Sequence, residues 1–171
     1  MELWDLTDEN GRVNGQTFIR DSGERIPEGM YHVVVEIWVT VSDGRVLLTQ
    51  RHPRKFNGLK WECTCGSSLA GETPAVAAAR ELGEEVGINV PPESLAHLGR
   101  IVYNNYIVES FHLTLDQPRE ITMQAEEVVG ARYVPIDRLS DYWGRMSENS
   151  RRHFKRYEKV LSDAAHHAVR H

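Results

Sequence analysis

The sequence predicts an α/β protein in which a mixed β-sheet lies between helices. Segments with the residue patterns of strands occur before position 66 and again between positions 98 and 135. One strongly patterned helix separates these two groups, and helical spacing of apolar residues returns after residue 137. Strands on both sides of a helix bury their apolar faces in packed layers, so this order of elements favours an α/β sandwich.

The chain begins with a predicted β-hairpin. Residues 2–20 contain two extended segments around Asp8-Glu9-Asn10-Gly11, and Asn-Gly is a strong short hairpin signal. Residues 21–30 are polar and contain glycine and proline, which is typical of a loop. We therefore expect residues 1–30 to form an N-terminal hairpin extension followed by a loop.

The longest predicted strand runs from Tyr31 to Val41. Its two faces carry Val33, Val35, Ile37, Val39 and Val41 on one side, and His32, Val34, Glu36, Trp38 and Thr40 on the other. A strand with one apolar and one mixed face belongs in the middle of a sheet beside a site, so His32 and Glu36 are candidate substrate-binding residues. Asp43-Gly44 predicts a two-residue turn into the strand Arg45–Arg51.

A basic loop, residues 52–60, precedes an alternating strand predicted over Trp61–Cys65. Arg51 and Lys55 approach a glycine-containing segment in sequence and are predicted to reach substrate phosphates. An equally good interpretation is that these charges are solvated. The aromatic residues Trp38, Trp61, Tyr103 and Tyr106 fit either stacking on a base or packing in the core.

The central helix is the best-defined element of the sequence. Thr73 and Pro74 predict its N-cap and first helical position, and Gly87 predicts its left-handed end. The apolar residues predicted to pack are Val76, Ala79, Leu82 and Val86. This pattern predicts a helix with one packed and one acidic face.

Three glutamates of this helix, Glu81, Glu84 and Glu85, fall within an arc of about 100°. Arg80 precedes Glu84 by one turn and is predicted to hold its carboxylate. An acidic helix face is most often simply solvated. In this chain, however, Gly66 and Gly71 bracket the loop that precedes the helix, and glycine allows the backbone carbonyls to approach whatever the acids bind. Carboxylates beside such a loop favour a site for Mg²⁺ and a diphosphate.

The remaining elements follow in order. Strands are predicted over Leu98–Val108, Glu109–Leu115 and Ala131–Pro135. The C-terminal segment 137–171 is predicted to be helical, with a short helix at Asp137 and a longer one from Glu148 to about Ala165. His166, His167 and His171 are interpreted as a solvated tail.

Composition limits the class of protein. A chain of 171 residues with a formal charge of −5 suits one soluble domain, residues 1–171, and argues against general binding to nucleic acid. No apolar run is long enough to span a membrane, and the acidic start lacks the pattern of a signal peptide, so a cytoplasmic protein is expected. Cys63 and Cys65 are expected to be reduced. Both a monomer and a homodimer remain open.

The spacing of residues 66–88 resembles the Nudix box. Gly66, Glu72, Arg80-Glu81-Leu82, Glu84-Glu85 and Gly87-Ile88 match GX5EX7REUXEEXGU without a mismatch. The resemblance implies a Nudix-type α/β/α sandwich. It also implies a pyrophosphohydrolase that depends on Mg²⁺, with Mn²⁺ as the alternative ion, and cleaves a nucleoside diphosphate linked to another moiety.

The same resemblance implies roles for individual residues. Glu84 and Glu85 would be the principal metal ligands, together with the backbone carbonyl of Cys65, which comes before the box glycine Gly66. Glu81 would bind a further metal or position the attacking water. A glutamate on a later loop, Glu126 or Glu127, would complete the site or act as general base.

A second resemblance leaves alternatives open. The N-terminal hairpin, His32 and Cys65 before Gly66 are similar to isopentenyl-diphosphate isomerase, a member of the same superfamily. That pattern continues with histidine, whereas this chain has Ser67, and the isomerase does not keep the full box. A hydrolase with an isomerase-like N-terminal extension is therefore favoured. The alternatives are the isomerase itself and a module that binds a nucleotide or ADP-ribose without catalysis.

Overall fold

The computed structural model describes residues 2–166. A two-stranded antiparallel hairpin comes first, formed by β1 (Leu3–Thr7) and β2 (Val13–Ile19). The other strands form one mixed sheet, with the elements β3 (His32–Val41), β4 (Arg45–Arg51), β5 (Trp61–Glu62), β6 (Thr64–Ser67), β7 (Ala96–Val102), β8 (Tyr106–Leu115) and β9 (Val128–Pro135). The predicted hairpin and mixed sheet are thus confirmed.

The order of the main sheet is β5-β4-β3-β8-β7, with β6 paired to β3 and β9 paired to β4. β3 and β8 run parallel over ten residue pairs, and the other neighbours are antiparallel. β3 pairs with β4 only near Thr40 and Val41, so the two strands separate toward their other ends. β6 lies in this opening, which positions the loop after it at the edge of the sheet.

Helices cover both faces of the sheet. α1 (Pro74–Val86) packs on the face formed by Val33, Val35 and Ile37 of β3. α2 (Glu148–His166) and a 3-10 helix (Ile136–Tyr142) pack on the opposite face. A short 3-10 turn, Pro92–Ser94, leads from α1 toward β7. Because side chains of β3 alternate between the two cores, the sheet is the middle layer of an α/β/α sandwich.

The ends of α1 form as predicted. The Thr73 side chain accepts a hydrogen bond from the Val76 N–H, and Pro74 occupies the first turn. Gly87 adopts a φ of +73°, and the N–H of Ile88 donates to the carbonyl of Leu82. This arrangement closes the helix by the left-handed cap that glycine favours.

The packed face of α1 differs from the prediction. Val76 is 42% exposed, whereas Ala77 and Ala78 are buried with Leu82 and Val86. Glu85 lies on this buried side, so the three glutamates do not form one solvated face. The helix meets β6 and β3 through its small alanines, and this close approach rotates the acidic residues toward the sheet.

Several strand boundaries also differ. Val41 pairs with Arg45, so the β3–β4 turn has three residues rather than two. The first of them, Ser42, donates its N–H to the carbonyl of Leu115. The predicted strand Trp61–Cys65 is two strands that pair with different neighbours. The turn before β8 lies at residues 103–105, where Asn104 and Asn105 supply turn residues, rather than at 108–109. β9 begins three residues earlier than predicted.

Two predicted aromatic stacking candidates belong to the core. Trp38 is fully buried, with its ring 5.6 Å from that of Phe154, and Trp61 packs edge-on to Tyr142. Both cysteines are free, as predicted. Within residues 2–166, none of the helices has the length and apolar character needed to cross a membrane. His167 and His171 lie outside the described residues, and His166 is the last residue of α2.

Candidate active site

A cavity of about 390 Å³ opens where α1, β6, the basic loop 52–60 and the N-terminal hairpin meet. We call it the charged cavity because most of its lining side chains are acidic or basic. The residues that line it are Glu2, Arg20, Val34, Arg51, Lys55, Cys65, Gly66, Ser67, Leu69, Arg80, Glu81, Glu84, Gln124 and Glu127. Eight of the predicted site residues, from Arg51 to Glu127, are therefore brought together.

Arg80 organises the acids of the charged cavity. Its guanidinium makes a two-pronged contact with Glu72, at 2.8 and 3.0 Å. The same group donates to Glu81 Oε1 at 2.8 Å and to Glu84 Oε2 at 2.9 Å. Hydrogen bonding to Glu72 raises the pKa of Arg80, so the guanidinium stays charged. Arg80 bonds to one carboxylate oxygen of Glu81 and to one of Glu84. Each of these carboxylates also has a second oxygen, which does not bond to Arg80.

Gly66 provides the space in which Glu81 ends. A β-carbon on residue 66 would stand 2.0 Å from the carboxyl carbon of Glu81 and 2.3 Å from both of its oxygens. Any other amino acid at this position would collide with the carboxylate. The first glycine of the motif is thus explained by the close approach of α1 to β6.

Glu85 is the most deeply buried of the three helix glutamates, at 6% exposed. Its side chain is not among those that line the charged cavity. Burial, reinforced by the negative charges of Glu81 and Glu62, raises the pKa of Glu85 to about 8. Burial likewise raises the pKa of Glu81. This concentration of buried carboxyl groups is unfavourable unless protons or a cation compensate it.

Two cations line the charged cavity, Arg51 at the end of β4 and Lys55 in the basic loop. Arg51 Nη1 lies 2.5 Å from Glu62 Oε1, and its Nε donates to the carbonyl of Phe56 at 2.9 Å. Lys55 forms an ion pair with Glu127. Burial lowers the pKa of Lys55, which reflects a position inside the site rather than in open solvent. Arg51 and Lys55 are therefore side chains of the site and not free loop charges.

The structure separates the two glutamates predicted on the later loop. Glu127 is half-buried, lines the charged cavity and pairs with Lys55. Glu126 is exposed. The loop is held to α1 because the N–H of Gln124 donates to the backbone carbonyl of Glu85 at 3.1 Å. Glu127 is the better placed of the pair.

A second cavity, of about 360 Å³, lies on the other side of Cys65, and we call it the inner chamber. Its lining residues are His32, Val34, Glu36, Arg51, Phe56, Asn57, Glu62, Cys63, Cys65, Tyr106, Val108, Ser147, Asn149, Ser150 and His153. His32 and Glu36, predicted to bind substrate, face this chamber rather than the charged cavity. Val34, Arg51 and Cys65 line both cavities.

Glu36 belongs to a buried hydrogen-bond network at the wall of the inner chamber. Its carboxylate accepts from Ser110 Oγ at 2.6 Å and lies 2.7 Å from His153 Nδ1. The other ring nitrogen of His153 is 2.7 Å from the hydroxyl of Tyr103. His153 comes from α2, so this network joins the sheet to the C-terminal helix.

His32 stacks on Trp4 of the N-terminal hairpin, with the ring centres 4.2 Å apart. Burial, with a smaller effect of Arg20, lowers the pKa of His32 to about 4. The imidazole is consequently neutral at neutral pH. The stacking attaches the hairpin to the strand that lines both cavities.

Cys65 lies between the two cavities. Its Sγ is 3.5 Å from Glu62 Oε1 and 3.9 Å from Arg51 Nη1. Burial and then the charge of Glu62 raise the pKa of Cys65 well above its usual value. The thiol is therefore protonated at neutral pH.

Sequence reasoning missed several residues of these cavities. Glu62, which pairs with Arg51, is the one charged residue of the predicted strand Trp61–Cys65. Arg20 and Glu2 reach the charged cavity from the N-terminal hairpin and form an ion pair at 2.7 Å. His153 lies 117 positions from Glu36, and the spacing of residues along α2 indicates only that it belongs to a helix.

The donor set of the charged cavity fits a hard divalent cation. Carboxylates and a backbone carbonyl are the oxygen ligands that Mg²⁺ and Mn²⁺ take. Within residues 2–166, histidine, cysteine and carboxylate side chains do not converge three at a time on one point, and Glu81 and Glu84 are each paired with Arg80. The buried negative charge around Glu85 is what a cation would neutralise.

Comparison of the sequence with known proteins gives a consistent result. Residues 30–157 match the NUDIX domain family. An uncharacterised Nudix hydrolase of Listeria monocytogenes is 34% identical over 146 residues, which are 81% of this chain and 83% of that protein. An isopentenyl-diphosphate Delta-isomerase of Streptomyces coelicolor is 30% identical over 178 residues, covering 98% of this chain and 85% of that protein.

Solved structures share the fold. A Deinococcus radiodurans protein superposes with a TM-score of 0.74 at 18% identity. The superposition covers 91% of this chain and 98% of the Deinococcus chain. A bifunctional NMN adenylyltransferase/ADP-ribose pyrophosphatase of Francisella tularensis, complexed with AMP and a manganese ion, gives a TM-score of 0.64 at 23% identity. The superposition covers 77% of this chain and 42% of the Francisella chain. Together with the intact box and its geometry, these matches show that the chain belongs to the Nudix hydrolase family.

Proposed function

We propose that this protein is a Mg²⁺-dependent pyrophosphohydrolase that cleaves the diphosphate linkage of a nucleoside diphosphate joined to another moiety. The observation that carries the proposal is the placement of Glu81 of α1 against Gly66, with Glu81 and Glu84 lining one cavity together with the cations Arg51 and Lys55. Acids suited to a metal and bases suited to phosphate thus line one site.

The chain's own residues can bind and orient a diphosphate. Arg51 and Lys55 each carry a positive charge into the charged cavity, and Arg20 adds a third from the hairpin. Glu81, Glu84 and Glu85, with the carbonyl of Cys65, would hold the metal. Mg²⁺ neutralises phosphate charge and lowers the pKa of a bound water when it is present.

Glu127 is the candidate general base. It lines the same cavity as Glu81 and Glu84, and its partner Lys55 keeps a positive charge beside it. A carboxylate in this position can accept the proton of an attacking water. Glu81 is the alternative base, since burial raises its pKa and so increases its affinity for a proton.

A panel of substrates tests the proposal. Nucleoside diphosphate sugars, dinucleotides, nucleoside triphosphates and coenzyme A esters, assayed with Mg²⁺ and with Mn²⁺, should include at least one that is hydrolysed at its diphosphate. Hydrolysis should stop when the metal is chelated. A complete panel without any turnover, at a protein concentration that binds these compounds, would instead support a non-catalytic binding module.

An isomerase acting on isopentenyl diphosphate is the second candidate. Two observations favour it: relatives of that name match 98% of this chain, and Cys65 lies between the two cavities. The complete box and the residue Ser67 favour hydrolysis instead. Incubation with isopentenyl diphosphate and a search for the allylic isomer distinguishes the two reactions.

A further inference from the structure

The inner chamber continues from the charged cavity past Arg51 and Cys65, and its chemistry differs from that of its neighbour. The charged cavity contains the cationic side chains of Arg20, Arg51, Lys55 and Arg80. Among the described residues that line the inner chamber, Arg51 is the one lysine or arginine. The two cavities are therefore suited to different parts of one substrate.

On the side of the inner chamber, the positive charge of Arg51 faces a carboxylate of the chamber wall. Its guanidinium lies 2.5 Å from the carboxylate of Glu62 and also donates to the carbonyl of Phe56. Glu62 and Glu36 both contribute buried carboxylates to the chamber wall, at 8% and 4% exposed. The chamber wall thus carries two carboxylates and one guanidinium, whereas the charged cavity carries four basic side chains. An anionic group entering the chamber would lose its hydration and meet an excess of acidic groups, which is costly.

The two histidines of the chamber do not change this balance. His153 uses both ring nitrogens within the protein, one with Glu36 and one with Tyr103, each at 2.7 Å. His32 is neutral because burial, followed by the charge of Arg20, lowers its pKa to about 4. His153 therefore has both ring nitrogens occupied within the protein, and His32 brings no positive charge to the chamber at neutral pH.

The rest of the lining is apolar with a few hydrogen-bonding groups. Val34, Val108, Cys63 and Tyr106 form apolar surface, and Phe56, 86% exposed, stands at the rim. Asn149 and Ser150, from the first turn of α2, supply an amide and a hydroxyl. A volume of about 360 Å³ is somewhat more than twice a cavity that holds benzene, so one ring or a short branched chain fits.

We propose that the inner chamber receives the group attached to the diphosphate, and that this group is uncharged and compact, such as a neutral sugar or a short alcohol. This assignment rests on the proposed function, because the diphosphate itself would lie in the charged cavity. Arg51, which lines both cavities, marks the boundary between the charged and the neutral part of the substrate.

A pair of substrates that differ only in charge tests the assignment. UDP-glucose and UDP-glucuronate have the same shape, but the second carries a carboxylate on the sugar. We expect kcat/KM for the neutral member to exceed that for the anionic member by at least about tenfold, because the chamber wall carries two carboxylates against one guanidinium. The pair ADP-ribose and ADP-ribose 1″-phosphate repeats the test with another nucleoside.

Asn149→Arg offers a change of specificity. Asn149 is exposed, and its amide makes one long contact of 3.4 Å with the Tyr106 hydroxyl, so arginine should be accepted there. The added cation should reduce the preference for the neutral substrate at least threefold, by a favourable pairing with the carboxylate. Glu148→Arg is the matched control, since Glu148 is exposed on the same turn but does not line the chamber. At 0.15 M salt it should leave the preference unchanged.

The outcomes separate this inference from the proposed function. Equal kcat/KM for both members of each pair, with no response to Asn149→Arg, would overturn the chamber assignment and leave hydrolysis established. Absence of hydrolysis throughout would overturn the proposed function. Calorimetric binding of the same pairs then decides the chamber assignment: a tenfold weaker Kd for the anionic members supports it, whereas equal affinities or no binding contradict it.

Discussion

The carboxyl group of Glu81 occupies the place where a side chain on residue 66 would begin, 2.0 Å from an ideal β-carbon on Gly66. The first glycine and the first glutamate of the acidic helix are therefore one structural unit, although fifteen positions separate them. Arg80 completes the unit by holding Glu72, Glu81 and Glu84 together. The motif thus describes how α1 meets β6, as well as which side chains carry charge.

Gly66→Ala should displace Glu81 from the site. The added methyl group cannot be accommodated without moving a carboxylate whose own helix is packed, which costs roughly 1–3 kcal/mol of unfolding free energy. We expect kcat to fall at least about tenfold and the thermal midpoint to drop. Gly144→Ala is the control, because a β-carbon there meets nothing within 4 Å. Equal behaviour of the two variants would show that the close approach has no role.

Arg80→Lys should lower stability even though the charge is retained. A lysine ammonium cannot reproduce the two-pronged contact with Glu72 while also reaching Glu81 and Glu84. The expected loss is roughly 1–3 kcal/mol in denaturant unfolding, since the half-buried carboxylates of Glu72 and Glu81 lose hydrogen bonds. Arg138→Lys, which alters an exposed pair with Asp141, should change stability by less than about 0.5 kcal/mol. A neutral result at Arg80 would contradict its organising role.

The two loop glutamates should respond differently to amide substitution. Glu127→Gln should lower kcat by about a hundredfold or more, as expected for loss of a general base. Glu126→Gln should leave kcat within twofold of wild type, because Glu126 is exposed outside the charged cavity. Steady-state kinetics on any hydrolysed substrate makes the comparison. A strong effect at Glu126 and none at Glu127 would reverse the assignment, and weak effects at both would favour Glu81 as the base.

His112 should make the protein less stable in acid. It is buried with its Nε2 2.8 Å from the Thr40 hydroxyl, and burial lowers its pKa to about 4 from an ordinary value of 6.5. The unfolded chain therefore binds a proton more readily, so stability present above pH 6.5 is lost as the pH falls toward 4. The contribution is up to about 3 kcal/mol. Urea unfolding between pH 7 and pH 4 should show a smaller loss for His112→Gln, and the same loss would refute the prediction.

The local features of the fold were predictable because they depend on neighbouring residues. Thr73, Pro74 and Gly87 act within one turn of the helix ends, and alternation along β3 places Val33, Val35 and Val39 in one core. The turn between β7 and β8 was missed, although Asn104 and Asn105 carry a recognisable local signal. The position of this turn was therefore also predictable from neighbouring residues.

The pairings that define the two cavities could not be predicted in the same way. Glu36 meets His153 across 117 positions, and Arg51 meets Glu62 because β4 and β5 are paired. The burial of Glu85 follows from how closely the alanines let α1 approach the sheet. Such contacts depend on the register of strands and the rotation of a helix, which composition and spacing leave open.

Glu85→Gln tests the central claim most directly, because the amide keeps the shape of the side chain and removes its charge. The variant should fold normally, since burial with the charges of Glu81 and Glu62 already disfavours the ionised form and raises the pKa of Glu85 to about 8. The measurement is kcat with saturating Mg²⁺ on any substrate that the wild type hydrolyses. We expect a loss of at least about a hundredfold, as for other groups that stabilise charge in a transition state. A kcat within tenfold of wild type would contradict the account.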